Sequence, residues 1–219
     1  MNKLIVIEGI DGSGKATQAK LLSESLARQG QSVRQVSFPD YDSPSSTLVK
    51  MYLAGDFGAK PTDVNAYAAS SFYAVDRYAS FMKDWRRDYA RGVVIADRYT
   101  TSNAVHQCSK LPRDQWDAFL QWLFDYEYRR LAIPAPDGVF YLRVDPAVSQ
   151  RLLLSRYEGD EQKKDIHEKD MAYLVRCHEA ADYCAQKLGW LTVECCEGEA
   201  MRPIAAIQAQ LQSFANRLV

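Results

Sequence analysis

The apolar run Leu4-Ile5-Val6-Ile7 ends in Glu8 and passes directly into Gly9-Ile10-Asp11-Gly12-Ser13-Gly14-Lys15, beyond which Ala19, Leu22 and Leu26 fall at helical spacing. A strand, a glycine-rich turn closing on a lysine and a helix, in that order, constrain this chain more than any other feature of it. The glycines let the backbone curl until successive N–H groups point inward at an anion. The following helix adds its positive end, and Lys15 brings a full charge to the same point. The pattern predicts a cradle for nucleotide phosphates running from Gly9 to Lys15, with Ala16 and Thr17 opening the helix behind it. Ala16 stands where such loops usually carry a Ser or Thr hydroxyl for Mg²⁺. Thr17 lies about 100° further around the axis and does not take over. A water is expected in the gap, since Mg²⁺ keeps several waters in such sites.

The rest of the chain has the organisation that a phosphate loop requires. Strands are predicted at Leu4–Glu8, Val33–Phe38, Val93–Asp97, Val139–Val144 and Trp190–Glu194, separated by longer segments of helical periodicity, which is the parallel βαβ pattern of an α/β sheet. Helices are expected over Lys15–Gln29, which stops at Gly30, over Asn65–Tyr89 and around Gln115–Arg129. In the last of these, Trp116, Phe119, Leu120 and Leu123 form an apolar stripe that reads as core or subunit contact. At 219 residues the chain fits a single domain. Twenty-seven Lys and Arg against twenty-eight Asp and Glu leave no basic field for nucleic acid or an anionic membrane. Any anion must therefore be held by local chemistry. The five cysteines include no CxxC pair, which reads as reduced thiols in the cytoplasm. The opening residues are too briefly apolar for a signal peptide, and no later run approaches a spanning helix. His106, His167 and His178 lack metal-ligand spacing.

A second site is predicted where the third strand ends. Asp97 falls at the C-terminal edge of a parallel sheet, where ligands of open α/β folds bind, and it can hold Mg²⁺ through water. Arg98 beside it supplies a guanidinium for the phosphate of an acceptor. An acid for the metal and a cation for the acceptor belong together in phosphoryl transfer.

These residues together resemble the thymidylate kinase family of P-loop nucleoside monophosphate kinases, over essentially the whole chain. Gly9–Lys15 looks like the family's phosphate loop, Phe38-Pro39 resembles its loop after the second strand, and Asp97-Arg98-Tyr99-Thr100-Thr101-Ser102 matches its Asp-Arg-Tyr/His-x-x-Ser signature. Tyr73-Ala74-Val75-Asp76-Arg77 is similar to its thymine-binding aromatic followed four residues later by Arg. Residues at that spacing share a helical face, so Tyr73 can stack on a base while Arg77 reaches its edge. The resemblance assigns that edge to thymine O4. It implies a three-layer P-loop α/β fold, with a five-stranded parallel sheet flanked by helices and a mobile lid over about 156–168, forming one domain over 1–219. It also implies transfer of the ATP γ-phosphate to dTMP, and a homodimer.

The resemblance further places Asp11 near the sugar 3′-hydroxyl, Asn103 at the base edge, and Ser102, His106 and Gln107 around the acceptor. It puts the catalytic cation on the lid, as Arg156, Lys163 or Lys164, with Glu168 the acid that closes the segment. Gly12 stands where one branch of the family carries Arg, which also points to the lid. Other departures are the missing arginine in Phe38–Asp42, Ile166 in place of a frequent lid arginine, and His106 in place of a Tyr near the sugar. Two other readings use the same donor loop. One is a kinase for another nucleoside monophosphate or a deoxynucleoside. The other is a nucleotide-dependent switch protein, which the lack of an Asn-Lys-x-Asp guanine motif disfavours.

Overall fold

A computed structural model describes residues 2–156 and 171–219, the side chain of Arg156 excepted. The lid expectations for Arg156, Lys163, Lys164, Ile166 and Glu168 fall outside the described residues. Strands β1 (Lys3–Glu8), β2 (Val33–Ser37), β3 (Val93–Asp97), β4 (Gly138–Arg143) and β5 (Leu191–Glu194) form one parallel sheet in the order β2-β3-β1-β4-β5. Each predicted strand is present, with boundaries at or next to those expected.

β1 pairs with β3 and β4 along its two edges, and its side chains are buried on both faces of the sheet. Leu4 and Val6 join Val94, Ala96, Phe38, Trp85 and Tyr99 on one side. Ile5 and Ile7 join Ile95, Phe140 and Leu142 on the other. Burial on two faces is why β1 reads as an unbroken apolar run rather than an alternating one. The helices are α1 (Lys15–Arg28), α2 (Thr47–Ala54), α3 (Ala66–Ser80), α4 (Arg86–Tyr89), α5 (Thr100–Cys108), α6 (Trp116–Phe124), α7 (Pro146–Arg156), α8 (Met171–Leu188) and α9 (Ile204–Ala215). α1 and α9 cover the Ile5/Ile7 face through Ala19, Leu22, Leu26, Ile207 and Leu211. A small antiparallel hairpin, β6 (Cys196–Glu197) with β7 (Ala200–Met201), follows the sheet and was not anticipated.

Two predicted helices are corrected. The one expected over Asn65–Tyr89 is α3, then a π turn at Phe81–Trp85, then α4. Phe81, Trp85 and Tyr89 are spaced by four, which in a regular α-helix drifts about 40° per step. One widened turn offsets that drift and keeps all three rings packed on the Leu4/Val6 side of the sheet. The helix expected around Gln115–Arg129 is α6 followed by a second π turn, Asp125–Arg130. Its stripe of Trp116, Phe119, Leu120 and Leu123 is core, packed with Ala104, Cys108, Ala180 and Cys184. All five cysteines are free thiols. No helix among the described residues is long and apolar enough to cross a membrane.

Candidate active site

The C-terminal ends of β1 and β3 bring two loops together, Ile7 pairing with Asp97 in the sheet register. From β1 the chain enters the glycine turn. Gly12 adopts φ 79°, and a Cβ there would lie 2.8 Å from the Ser149 carbonyl oxygen of α7. The Ser149 hydroxyl in turn donates to the Asp11 carbonyl. α7 therefore packs directly onto the loop at Gly12, and an arginine at this position has neither the backbone conformation nor the room. Gly14, at φ 86°, caps α1 without a side chain in the way. Lys15 folds back to donate to the Ile10 carbonyl at 2.9 Å, and its Nζ lies 4.0 Å from Asp11. Burial and the nearby Arg98 push the Lys15 ammonium below its ordinary range, against the pull of Asp11, Asp97 and Glu8. An incoming phosphate removes that mismatch. Ser13 is buried in the same turn, its hydroxyl without a partner among the described residues. Ala16 and Thr17 are exposed on the first turn of α1.

From β3 the chain turns sharply at Arg98, a non-glycine residue at φ 67°. That left-handed conformation is uncommon and concentrates at functional sites. It brings the guanidinium back across the end of the sheet to Asp11, with which it forms a short ion pair. Nη1 donates to the Ser102 hydroxyl at 3.2 Å and lies 3.7 Å from Glu8. Burial opposes both charges of the Asp11–Arg98 pair and is overcome in each. Arg98 and Lys15 hold the Asp11 carboxyl well below the usual carboxylate range, and Asp11, Glu8 and Asp97 hold the Arg98 guanidinium firmly protonated. Glu8 is a buried carboxylate that sequence reasoning did not single out. It accepts from the Gly9 N–H at 2.9 Å, the Thr101 hydroxyl at 2.7 Å and the Ser102 hydroxyl at 2.8 Å. One side chain thus ties the phosphate loop to the start of α5. The signal was available, an acid closing an otherwise apolar strand immediately before Gly9.

His106 reaches the other side of Arg98, with Nε2 3.4 Å from Nη1. The Tyr173 hydroxyl donates to the His106 carbonyl at 3.0 Å and lies 3.3 Å from Nδ1. Cys177 Sγ lies 3.5 Å from the same Nδ1, so α8 holds one edge of the ring while the other faces Arg98.

Beside Arg98 opens a cleft between the phosphate loop, the segment after β2, α3 and α5. The structure brings onto it every residue expected at the acceptor: Asp11, Phe38 and Pro39 from two loops, Tyr73 and Arg77 from α3, and Arg98. Ser102, Asn103, His106 and Gln107 complete it from α5, and Tyr41, Leu53 and Tyr99 are additional. The Asn103 amide donates to the Ser70 carbonyl at 3.1 Å. Gln107 is fully buried at the wall, with neither amide atom partnered among the described residues. Asp76 accepts from the Asp40 N–H at 2.9 Å and the Ser45 hydroxyl at 2.6 Å, fixing the segment after Phe38-Pro39 to α3. Arg77 is not a surface charge. It is 2% exposed and pairs in bidentate fashion with Glu127, at 2.6 and 2.7 Å, while Nη1 lies 3.4 Å from the Tyr99 carbonyl. Burial opposes the Arg77 charge, and Glu127 more than restores it. Glu127 continues the apolar stripe of α6 one turn past Leu123. A carboxylate at the next position of such a stripe is the mark of a buried partner.

The donors suit Mg²⁺, a hard cation bound by oxygen and water. Asp97 is 9% exposed at the end of β3, within the electrostatic reach of Lys15 and Arg98. Among the described residues no group of three His, Cys, Asp or Glu could hold an ion unaided. A family model described as thymidylate kinase matches residues 7–200. A thymidylate kinase of Mycobacterium tuberculosis is 33% identical over 201 residues, covering 87% of this chain and 90% of that protein. The Caenorhabditis elegans enzyme is 31% identical over 156 residues, 67% of this chain and 65% of that protein. The Plasmodium falciparum enzyme is 25% identical over 216 residues, 97% and 94% respectively. With the phosphate loop, the Asp97-Arg98 turn and the cleft between them in one structure, and with these matches along its length, the chain belongs to the thymidylate kinase family.

Proposed function

We propose that the chain transfers the γ-phosphate of ATP to dTMP, giving ADP and dTDP. The observation that carries this reading is the position of Arg98, held between Asp11 of the phosphate loop and the acceptor cleft. A cation there can hold the acceptor phosphate while Lys15 and the loop N–H groups hold the donor, so the two meet in line. Mg²⁺, held through water by Asp97, would supply charge neutralisation on the donor phosphates. Asp11 stays ionised next to Arg98, available to the sugar 3′-hydroxyl. Tyr73 offers a stacking face, Arg77 the donor for thymine O4, and Asn103 a contact at the base edge. Glu127 keeps Arg77 charged and fixed in plane. The lid cation is proposed among Arg156, Lys163 and Lys164, and the whole chain is read as one domain. Five free thiols suit a reducing compartment, in keeping with the cytoplasm.

Base choice tests the assignment. Cytosine presents an amino donor where thymine has O4, setting donor against donor at Arg77. The mismatch costs about 1–3 kcal/mol, roughly ten- to a hundred-fold in kcat/KM. A competition among dTMP, dUMP, dCMP, UMP and thymidine is expected to rank dTMP first, dUMP intermediate and dCMP poor. Preference for dCMP or for the unphosphorylated nucleoside would remove the reading in favour of another kinase. ATP hydrolysis with no acceptor among them would favour the switch.

The homodimer has its own observation. Tyr67, Val75, Tyr78 and Met82 lie 40–44% exposed along the outer side of α3 and its π turn. Their spacing follows one helical face. Tyr67 stacks edge-on against Trp122, which stacks on Tyr126, so the face extends across α6. Contiguous apolar surface of this kind marks an interface. Tyr78→Glu is expected to convert a dimer to a monomer in sedimentation velocity, and a wild-type monomer at micromolar concentration would remove the proposal.

A further inference from the structure

Behind the α2–α3 wall of the cleft is a small buried cluster of Tyr52, Val64 and Ala69, with Leu53 and Tyr73 packed against it. Leu53 and Tyr73 also line the cleft, so the cluster forms the back of its wall. Tyr52 is fully buried, and its ring meets that of Tyr73 edge-on at 6.3 Å and 87°. The Tyr52 hydroxyl donates to the Pro61 carbonyl at 3.3 Å and accepts from Lys110 Nζ at 2.8 Å. Lys110, just past the end of α5, also donates to the Val64 carbonyl at 3.3 Å. A single ammonium therefore fastens α2 and the segment before α3 to α5.

Among the described residues, the groups that face this ammonium are neutral or positive. Tyr52 faces it from α2 and the Val64 carbonyl from the segment before α3. Cys177 faces it from α8, its thiol pushed up to about 12 by burial and so uncharged near neutrality. Arg176, beside Cys177, adds a cation bound to the Ser109 carbonyl at 3.3 Å. His106, one turn back on α5, faces Arg98 and Tyr173 instead. Burial pushes Lys110 down to about 7. The sign of the consequence is unfavourable to folding. The unfolded chain keeps this lysine charged up to about pH 10.5, whereas the folded chain gives up the proton above about 7. Stability is thus lost as pH falls from the first value to the second, and it is not recovered below. A methionine of similar length would carry no such cost.

We propose that Lys110 is a positioning residue for the acceptor base: its hydrogen bond fixes the Tyr52 ring, whose edge holds Tyr73 in the plane on which the base stacks. The inference rests on the placement of the base against Tyr73 proposed above. Both the ammonium and the neutral amine carry N–H groups, so the bond to the Tyr52 hydroxyl can form whichever charge state Lys110 holds. The acceptor phosphate has its own ionisation near pH 6, which is common to every variant and drops out of a comparison between them.

The test is KM and kcat for dTMP and for ATP, at about pH 6 and about pH 8.5, for wild type, Lys110→Met, Tyr52→Phe and Tyr73→Ala. At the lower pH, Lys110→Met is expected to raise KM for dTMP about five- to tenfold, with kcat and KM for ATP within about twofold of wild type. The rise should appear at both pH values, because the tether to Tyr52 does not require the charge. Tyr52→Phe keeps the ring and removes the hydroxyl, and should behave alike. A thermal midpoint for Lys110→Met no lower than wild type at about pH 6 separates this effect from a loosened fold. An unchanged KM for dTMP in Lys110→Met, or an equal rise in KM for ATP, overturns the proposal. Tyr73→Ala distinguishes the two readings. If it alone raises KM for dTMP, only the role of Lys110 falls; if it has no effect, the placement of the base falls and takes this inference with it.

Discussion

Lys15→Ala is expected to fold as the parent does and to turn over about 10²–10³ more slowly, the usual loss on deleting one preorganised donor to transition-state charge. The structure gives a reason to expect an intact fold. The Ile10 carbonyl that accepts from Lys15 also accepts from the Ser13 N–H at 3.2 Å, so removing the lysine orphans no buried acceptor. Burial already weighs against the Lys15 charge, so its loss relieves a cost to the folded state. The effect should fall on kcat rather than on KM for dTMP, because the acceptor is held by Arg98 and the cleft. Single-turnover rates at saturating ATP and dTMP measure it. A folded Lys15→Ala variant with wild-type turnover would take the phosphate loop out of the chemistry.

Glu127→Ala is expected to cause the largest loss of stability of any change at the site. It removes the partner of a fully buried guanidinium and leaves that charge uncompensated, which costs about 3–5 kcal/mol. For a domain of this size the thermal midpoint should drop by roughly 6–20 °C. Loss of the 2.8 Å hydrogen bond from the Thr100 hydroxyl to Glu127 adds to the effect. The informative control is the double variant Arg77→Met/Glu127→Leu, which removes both charges and refills the space. It should recover most of the stability, since apolar replacement of a whole buried pair is often neutral or stabilising. It should not recover the preference for dTMP over dCMP. Recovery of both would mean that the pair is structural only and that Arg77 does not read the base. Arg77→Ala alone cannot make that distinction, because it leaves Glu127 buried and unpaired.

Local chemistry decided what could be read along the chain. The phosphate loop, the five strands and the Asp97-Arg98 turn each depend on neighbours in sequence, and periodicity and short motifs report such neighbours directly, whereas Tyr73 and Arg77 were singled out only by the family resemblance. The balance of charge likewise left phosphate binding to local groups. Partners far apart in sequence were beyond that reach. Glu127 is 50 residues from Arg77, and only the fold brings the two together as a buried ion pair. Ser149 is 138 residues from Asp11, and only the packing of α7 shows why Gly12 admits no side chain. Glu8 looked like the polar end of a strand until Thr101 and Ser102, 93 and 94 residues later, donated to it. The π turns were likewise invisible, because they follow from aromatic rings held against the sheet rather than from the helical propensity of their residues. Sequence thus determined which groups the chain carries and where their chemistry begins; tertiary structure decided which charges are buried together, because desolvation depends on what packs around a group and not on what precedes it in the chain.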